Sequence, residues 1–335
     1  MKNYLFHVGI DISKSKLDVV ILKAKSPIEQ EHFVVDNNQK GIKSILSVLT
    51  KRKIVLSEVL FCFENTGVYT FPLNIYLSEK SLDYWIVPAI EIKRSKGISR
   101  GKNDKTDAKD IALYSLRSID KLQLSNIAEK EILELRLLYT EREKVLKALR
   151  LFQASEENRE FLPKSVFKSI ALINSKTVKS LKDTLKSIES KISAVIKANT
   201  TLNQQLELLK SVPGVGPQTA LYLIIATKGF KAFDSWRKFA CYAGVAPFEY
   251  SSGSSVRGRT KVNHMADKKI KSLLQMCALS AIKYDSQIKE YYGKKKAEGK
   301  HTMLVLNNVR CKIISRVFSV INRQTPYINT YKFAG

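Results

Sequence analysis

Carboxylates are the residues of this chain whose type and spacing most suggest chemistry. In Gly101-Lys-Asn-Asp-Lys-Thr-Asp-Ala-Lys-Asp-Ile-Ala-Leu113, Asp104 and Asp107 stand three residues apart. On a helix that spacing puts both side chains on one face, one turn apart. Acidic residues favour the N-terminal end of a helix, so the pair reads as a helix start, with Ile111, Ala112 and Leu113 behind it as apolar docking surface. Two like charges on one face repel unless a cation lies between them. A divalent metal is one answer; Lys102 and Lys105 are the other, and the same lysines are candidates for holding phosphate. Taken alone, the stretch leaves a metal site and a solvated, mixed-charge helix start equally open. Two more acids end apolar runs: Asp11 closes residues 4–11 and Glu64 closes residues 59–64. Each has a plainer reading, a turn residue for Asp11 and a helix cap for Glu64.

What these acids can do depends on the elements that carry them. Residues 4–11 and 16–23 read as two strands joined by a short hairpin link, and Glu31 to Asp36 as a third. A helix is predicted over about 39–51, with Ile42, Ile45, Leu46 and Leu49 on one face. Residues 59–63 form a continuous apolar run, the mark of a strand covered on both sides. Asn65-Thr-Gly67 turns the chain into a helix over about 71–80, and Tyr84 to Val87 is a fifth strand, ended by Pro88. The basic segment Lys93 to Lys102 leads to the helix of Asp104. Three antiparallel strands, then helix, strand, helix, strand, helix, is the order of a ribonuclease H-like domain. In that layout Asp11 lies on the central strand and Glu64 at the end of its neighbour. Asp104 and Asp107 come from a helix packed across the same sheet edge. Converging there, the four acids make a ligand set for two magnesium ions: hard cations take oxygen donors, and a pair about 3.5–4 Å apart clamps a phosphodiester. Gly9-Ile-Asp11 also suits an actin-like sugar kinase, but the second glycine-rich loop of such enzymes is not found, and the paired aspartates have no place in that pattern.

Composition narrows the partner. The 335 residues suffice for two or three domains of about 100–200 residues each, and 44% of them are hydrophobic, enough for a sizeable core. Lys and Arg number 57 against 31 Asp and Glu, a net charge of +26 and the footprint of a polyanion binder. The excess is uneven: 22 against 6 over residues 210–335, and 35 against 25 over residues 1–209. The carboxylate site is expected in the more acidic part and phosphate contacts in the more basic part. Cys62, Cys241, Cys277 and Cys311 lie far apart among apolar neighbours, which gives no zinc or redox spacing and fits a reducing cytoplasm. The N-terminus enters a strand pattern with no signal-peptide core. No apolar run approaches the roughly 18 residues of a membrane span.

Residues 125–209 change character. Ile132, Leu135, Leu138, Val145, Leu149 and Phe152, and then Leu181, Leu185, Ile188, Ile192, Val195, Leu202, Leu206 and Leu209, step by threes, fours and sevens. They predict two long amphipathic helices joined through residues 153–177, an antiparallel hairpin packed within the chain or zipped onto a second copy. Ser211-Val-Pro-Gly-Val-Gly-Pro-Gln-Thr-Ala220 breaks the helices. Gly214 and Gly216 permit a tight turn with exposed amides, and Pro217 suits a first helical position. Amides at a helix N-terminus attract phosphate, and this segment resembles the helix-hairpin-helix motif, a sequence-blind binder of the DNA backbone. A short helix over 233–244 is predicted to be capped by Asp234 or Ser235 and stopped by Gly244.

In Pro247-Phe-Glu-Tyr-Ser-Ser-Gly-Ser-Ser-Val-Arg-Gly-Arg-Thr-Lys261, four serines lie between an aromatic and a basic flank. A serine hydroxyl is a weak nucleophile until activated. Nearby cations or metals stabilise its alkoxide and the transferring phosphoryl group. A solvated loop that only grips phosphate through Arg257, Arg259 and Lys261 fits the composition equally. A helix over about 265–281, a basic loop from Lys294 to Lys300 and a last amphipathic helix over about 302–322 complete the chain. His264 and His301 read as phosphate contacts or surface residues.

Taken in order, Val-Gly-Ile-Asp11 with its following Ser-Lys, Phe-Glu64-Asn-Thr-Gly, Lys-x-Asp104-x-x-Asp107-Ala, the Pro-Gly-Val-Gly turn, and Ala-Gly-Val-Ala-Pro followed by Ser-Ser-Gly253 span nearly the whole chain. This combination resembles the transposases of the insertion-sequence one-ten family, relatives of the Piv-type DNA invertases. The resemblance implies an α/β plus α architecture in three parts. Residues 1–122 would form a RuvC-like, ribonuclease H-like domain with a DEDD metal site of Asp11, Glu64, Asp104 and Asp107. Residues 123–209 would form a coiled-coil bridge for oligomerisation. Residues 210–335 would form a mainly helical transposase domain with the helix-hairpin-helix and a nucleophilic serine. By position in the Ser-Gly motif that serine is Ser252, with Ser251 beside it; here Gly253 is followed by Ser254 and Ser255 instead of a second glycine. Also implied are magnesium and no organic cofactor, double-stranded donor and target DNA, a bridge-type guide RNA, and tetramers in which acids and serine meet across subunits. The place of action would be the cytoplasm, at the nucleoid. The expected activity is RNA-guided DNA recombination through a 5′-phosphoserine link. Its rivals are a Holliday-junction resolvase that activates water with the carboxylates alone, and a non-catalytic nucleic-acid binder, for which the ordered acids would have no use.

Overall fold

A computed structural model describes residues 2–95, 103–126, 129–154, 161, 163–252, 256–262 and 266–329, with backbone alone over 27–30, 154, 166, 169, 247–252 and 256–262. The chain divides into two compact units, Met1–Ile127 and Ala128–Gly335.

In the first unit, β1 (Phe6–Ile12), β2 (Lys16–Lys23) and β3 (Ser26–Asp36) form an antiparallel meander. β4 (Val59–Glu64) joins the other side of β1 in parallel, followed by β5 (Tyr84–Val87), so the sheet runs β3-β2-β1-β4-β5. The period-2 alternation of each strand sorts its residues to two faces. Val8, Ile10, Ile12, Leu17, Val19, Phe61 and Phe63 bury one face with α1 (Gln39–Lys51) and α2 (Phe71–Glu79). Leu60, Cys62, Trp85 and Val87 bury the other with α3 (Ala89–Ser95) and α4 (Asp104–Arg117). Asn38 caps α1 by accepting from the Gly41 amide, and Asn103 caps α4 by accepting from the Lys105 amide.

α4 lies directly on β1. A Cβ on Gly9 would stand 2.2 Å from the Ala108 carbonyl oxygen and 2.4 Å from the Ala112 amide nitrogen, so only glycine allows this approach. Beyond Gly9 the buried His7 meets Ser115 at 2.8 Å. The Ser115 hydroxyl donates its proton to the Ala112 carbonyl, so the His7 Nδ1–H donates to Ser115. Burial pushes the His7 imidazole down to about 4, which keeps it neutral near pH 7. The unfolded chain takes up this proton near pH 6.5 and the folded chain only near 4. Stability is therefore lost as pH falls through that window, by about 3 kcal/mol. His7→Asn keeps the donor and removes the titration. Urea melts at pH 7 and pH 4.5 are expected to show a smaller acid loss for the variant than for wild type; equal losses would refute this account. The comparison must be a difference, because Asp11 titrates with the opposite sign.

The second unit is mostly helical: α5 (Lys130–Ala154), α6 (Lys164–Ala198), α7 (Thr200–Lys210), α8 (Pro217–Ala226), α9 (Trp236–Tyr242), α10 (Lys268–Tyr284), α11 (Ser286–Ala297) and α12 (Thr302–Arg323). A two-stranded hairpin of β6 (Pro247–Ser252) and β7 (Val256–Val262) interrupts them. One core gathers Leu221 and Ile224 of α8, Leu274 and Ala278 of α10, and Val309, Ile313 and Val317 of α12. Ile132 and Leu135 of α5 and Ile192 and Ile196 of α6 belong to the same core. The other ends of α5 and α6 leave Leu151, Phe152, Leu172 and Ile173 exposed.

Four expectations for this unit change. The helix read as continuous to Leu209 is two helices, because Asn199 interrupts it and its side chain caps α7 by accepting from the Leu202 amide. Most of the stretch read as a connection, 153–177, is α6, which starts directly after Pro163. The basic loop Lys294 to Lys300 begins as the last turn of α11, where lysine is a good helix former and opposes the negative end of the helix dipole. The serine-rich segment is a paired hairpin, with Ser252 in register with Val256 and Ser251 with Arg257.

The turn at 211–217 also assigns its glycines different work. Gly214 has φ +89°, and a Cβ there would stand 2.5 Å from the Cys277 carbonyl oxygen in α10. Gly216 has an ordinary φ of −85°, caps α8 and has no atom within 4 Å of a built Cβ. Gly214→Ala is expected to lower stability by about 2 kcal/mol or more, through left-handed strain and a backbone clash. Gly216→Ala is expected to stay within about 1 kcal/mol of wild type. Thermal melts of the two variants check this; equal losses would contradict it.

Candidate active site

The face of β1 turned to α4 carries His7, Gly9 and Asp11 at every second position. His7 and Gly9 fix where α4 lies, and Asp11 comes at the end of the row, beside the first turn of α4 with Asp104 and Asp107. Glu64 ends β4, one residue past the pair Ile10–Phe63. These carboxylates feel one another. Burial raises the Asp11 carboxyl to about 6, and Asp107, Asp104, Asp18 and Glu64 add to the shift. The structure thus places Asp104, Asp107 and Glu64 within electrostatic reach of Asp11.

It also adds two residues that sequence reasoning missed. Asp18 sits directly across from Asp11 in the β1–β2 register and is buried. One of its oxygens lies 2.9 Å from His32 Nε2, and the other lies 3.4 Å from Lys16 Nζ. Lys16 Nζ donates to Asp104 Oδ2 at 2.8 Å. The hydrogen bonds to Asp104 and Asp18 raise the ammonium's pKa. Lys16 is thus a cation on Asp104. Lys105 is exposed, and Lys102 lies outside the described residues. Asp18 did leave a signal, an acid inside the apolar run Leu17–Leu22. Lys16 left none, being 88 residues from its partner.

The donor chemistry fits a hard divalent cation: oxygen donors, around an acid whose carboxyl is raised first by burial and then by its carboxylate neighbours. Among the described residues no three His, Cys, Asp or Glu side chains are placed to hold a metal ion together. Lys16 holds Asp104 instead.

In the second unit, Ser252 ends β6, Ser251 precedes it, and Arg257, Arg259 and Lys261 lie on β7. Gly253, Ser254, Ser255 and His264 lie outside the described residues. His301 caps α12, its Nδ1 accepting from the Met303 amide. A cleft of about 240 Å³ between α11 and α12 is lined by Lys294, Lys312 and Arg316 over Ile288 and Tyr291. Among the described residues no helix is long and apolar enough to cross a membrane.

Comparison with known proteins agrees with this layout. A DEDD-type IS110 transposase family model matches residues 8–159, and the model described as "Transposase IS116/IS110/IS902 family" matches residues 206–293. The pilin gene-inverting proteins of Moraxella bovis and Moraxella lacunata are each 24% identical over 326 residues, 96% of this chain and 97% of theirs. An uncharacterized 43.6 kDa protein of insertion element IS110 from Streptomyces coelicolor is 29% identical over 143 residues, 42% of this chain and 34% of that protein. With its carboxylate segment and its C-terminal segment each matched to that family, and its whole length similar to gene-inverting proteins, the chain belongs to the IS110 family of transposases, enzymes of DNA recombination.

Proposed function

We propose that this transposase is a magnesium-dependent, RNA-guided DNA recombinase that cuts through a serine nucleophile. The observation that carries the metal half is the gathering of Asp104, Asp107 and Glu64 about Asp11 on the edge of the sheet. In this reading residues 1–122 are a RuvC-like catalytic domain, and Asp11, Glu64, Asp104 and Asp107 hold two magnesium ions. The bound ions supply Lewis-acid stabilisation of the charge on the transferring phosphoryl group. Ser252 Oγ attacks the phosphorus, a Ser–O–P bond to the 5′ side forms, and the 3′ oxygen leaves as a hydroxyl. Reversal after strand exchange reseals the DNA. Lys105, Arg257, Arg259 and Lys261, and Lys102 with them, hold phosphates. Gly214 shapes the helix-hairpin-helix turn, and the exposed Gly216 brings the start of α8 to the backbone of donor and target duplexes.

The net charge of +26 supports a guide RNA as well as DNA. The exposed Leu151, Phe152, Leu172 and Ile173 support self-association of the bridge, residues 123–209, into dimers and a tetramer in which acids and serine meet across subunits. The working place is the cytoplasm, at the nucleoid.

A serine nucleophile leaves a covalent trace and an activated water does not. Wild-type protein with magnesium, guide RNA and matching DNA is expected to give a denaturant-resistant protein–DNA adduct on the 5′ side of the break. Ser252→Ala is expected to lose adduct and recombination and still bind, since one hydroxyl contributes only about 1 kcal/mol to ground-state contacts. An adduct lost in Ser251→Ala and kept in Ser252→Ala would move the nucleophile by one residue. Hydrolysed ends with no adduct in any variant would replace this mechanism with that of a resolvase.

A further inference from the structure

We propose that Lys16 is a working part of the carboxylate site: it neutralises Asp104 before a divalent ion arrives and donates to the DNA phosphate once the ion has taken Asp104. This rests on the metal reading above. The two partners of Lys16 are unlike. Asp104 is a half-exposed side chain (54%) in the first turn of α4, within reach of a cation arriving from solvent. Asp18 is buried (6% exposed), with Oδ1 committed to His32 and Oδ2 turned to Lys16. When Asp104 turns to a metal ion, Asp18 remains as a fixed anchor, so the ammonium stays at the site's edge. Lys16 itself is 44% exposed, open to an incoming phosphate. Three rotatable donors on a flexible stem suit that exchange of partners.

The charges point the same way. Asp11, Asp18, Glu64, Asp104 and Asp107 are five carboxylates that influence one another. Lys16 places one positive charge among them, on Asp104 and Asp18. Asp18 is then a positioning residue: its place in the register directly across from Asp11 sets where the ammonium stands.

The test measures Mn²⁺ affinity by titration calorimetry on the full-length chain, and DNA cleavage at saturating Mn²⁺, for wild type, Lys16→Met, Lys16→Arg and Asp18→Asn. Removing the competing ammonium is expected to tighten Mn²⁺ binding roughly fivefold in Lys16→Met. Losing a charge-assisted bond to phosphate is expected to slow its cleavage roughly tenfold or more. Lys16→Arg is expected to keep most of the rate. Asp18→Asn, with its ammonium unanchored, is expected to lose rate, and its Mn²⁺ affinity to fall or stay level with the loss of a nearby negative charge. Affinity and rate moving in opposite directions is a result that a merely structural lysine cannot give. Unchanged affinity in Lys16→Met, or affinity and rate falling together in that variant, would overturn the proposal. If wild type itself binds no Mn²⁺, the metal reading fails, and this inference with it; if wild type binds and Lys16→Met binds equally, only the inference fails.

Discussion

Asp11→Asn is expected to leave the chain folded, at least as stable as wild type in metal-free buffer at pH 8, and to cut DNA far more slowly. The substitution is nearly isosteric, so the sheet and α4 lose no packing. What it removes is a half-buried negative charge facing four others, the arrangement that raises the Asp11 carboxyl to about 6. Relief of the burial cost, and of the repulsion after it, is expected to raise stability at pH 8 by about 1 kcal/mol. The same charge is the one a divalent ion needs, so cleavage is expected to fall roughly a hundred- to a thousandfold. A residue kept for the fold behaves the other way, losing stability with its charge. Gain of stability with loss of function marks an acid held in place for chemistry. Thermal melts and single-turnover cleavage settle the matter, and normal cleavage by Asp11→Asn would sink the metal-site claim.

Gly9→Ala is expected to damage both fold and function. Its new methyl meets the Ala108 carbonyl oxygen at 2.2 Å, the Ala112 amide nitrogen at 2.4 Å and the Ala112 Cβ at 2.7 Å. Two of those three atoms are backbone inside a helix and cannot swing aside. α4 must lift from β1, which is expected to cost about 2–3 kcal/mol by overpacking. The lift carries Asp104 and Asp107 away from Asp11, so the molecules that still fold are expected to cut at least tenfold more slowly. The measurements are a urea melt and cleavage under conditions where the variant is mostly folded. A Gly9→Ala protein that is stable and cuts like wild type would show that α4 does not need this approach.

Much of the first unit was legible because its residues state their own periods. The apolar run before Glu64 gave a strand covered on both faces, and Ile42, Ile45 and Leu49 gave the buried side of α1. Asp11, Glu64, Asp104 and Asp107 were legible as candidates because each ends or starts an element. Lys16 was not, since its partners are set by folding: its ammonium reaches Asp104 only because α4 packs across β1 and β2. β6 and β7 do alternate, with Arg257, Arg259 and Lys261 at every second position, but the intervening serines and glycines drew attention to a loop or a nucleophile instead of a hairpin. The lysines that end α11 read as a loop because charge was weighed above helix propensity. The break at Asn199 was hidden by a leucine pattern that continues across it, because a cap interrupts the backbone without disturbing the apolar face.

The alternation of β1 makes the reaction a matter of parity. Val8, Ile10 and Ile12 are packed on one side of the sheet, and His7, Gly9 and Asp11 are turned to α4 on the other. One residue inserted or deleted between His7 and Asp11 would exchange the two sets, sending a carboxylate into a hydrocarbon layer and an isoleucine to the acids. Two residues would restore the side but move Asp11 by about 7 Å along the strand, past the first turn of α4. With Asp11 in the role proposed above, a slipped codon in this stretch is expected to silence the element, and one that still moves is expected to have kept the count.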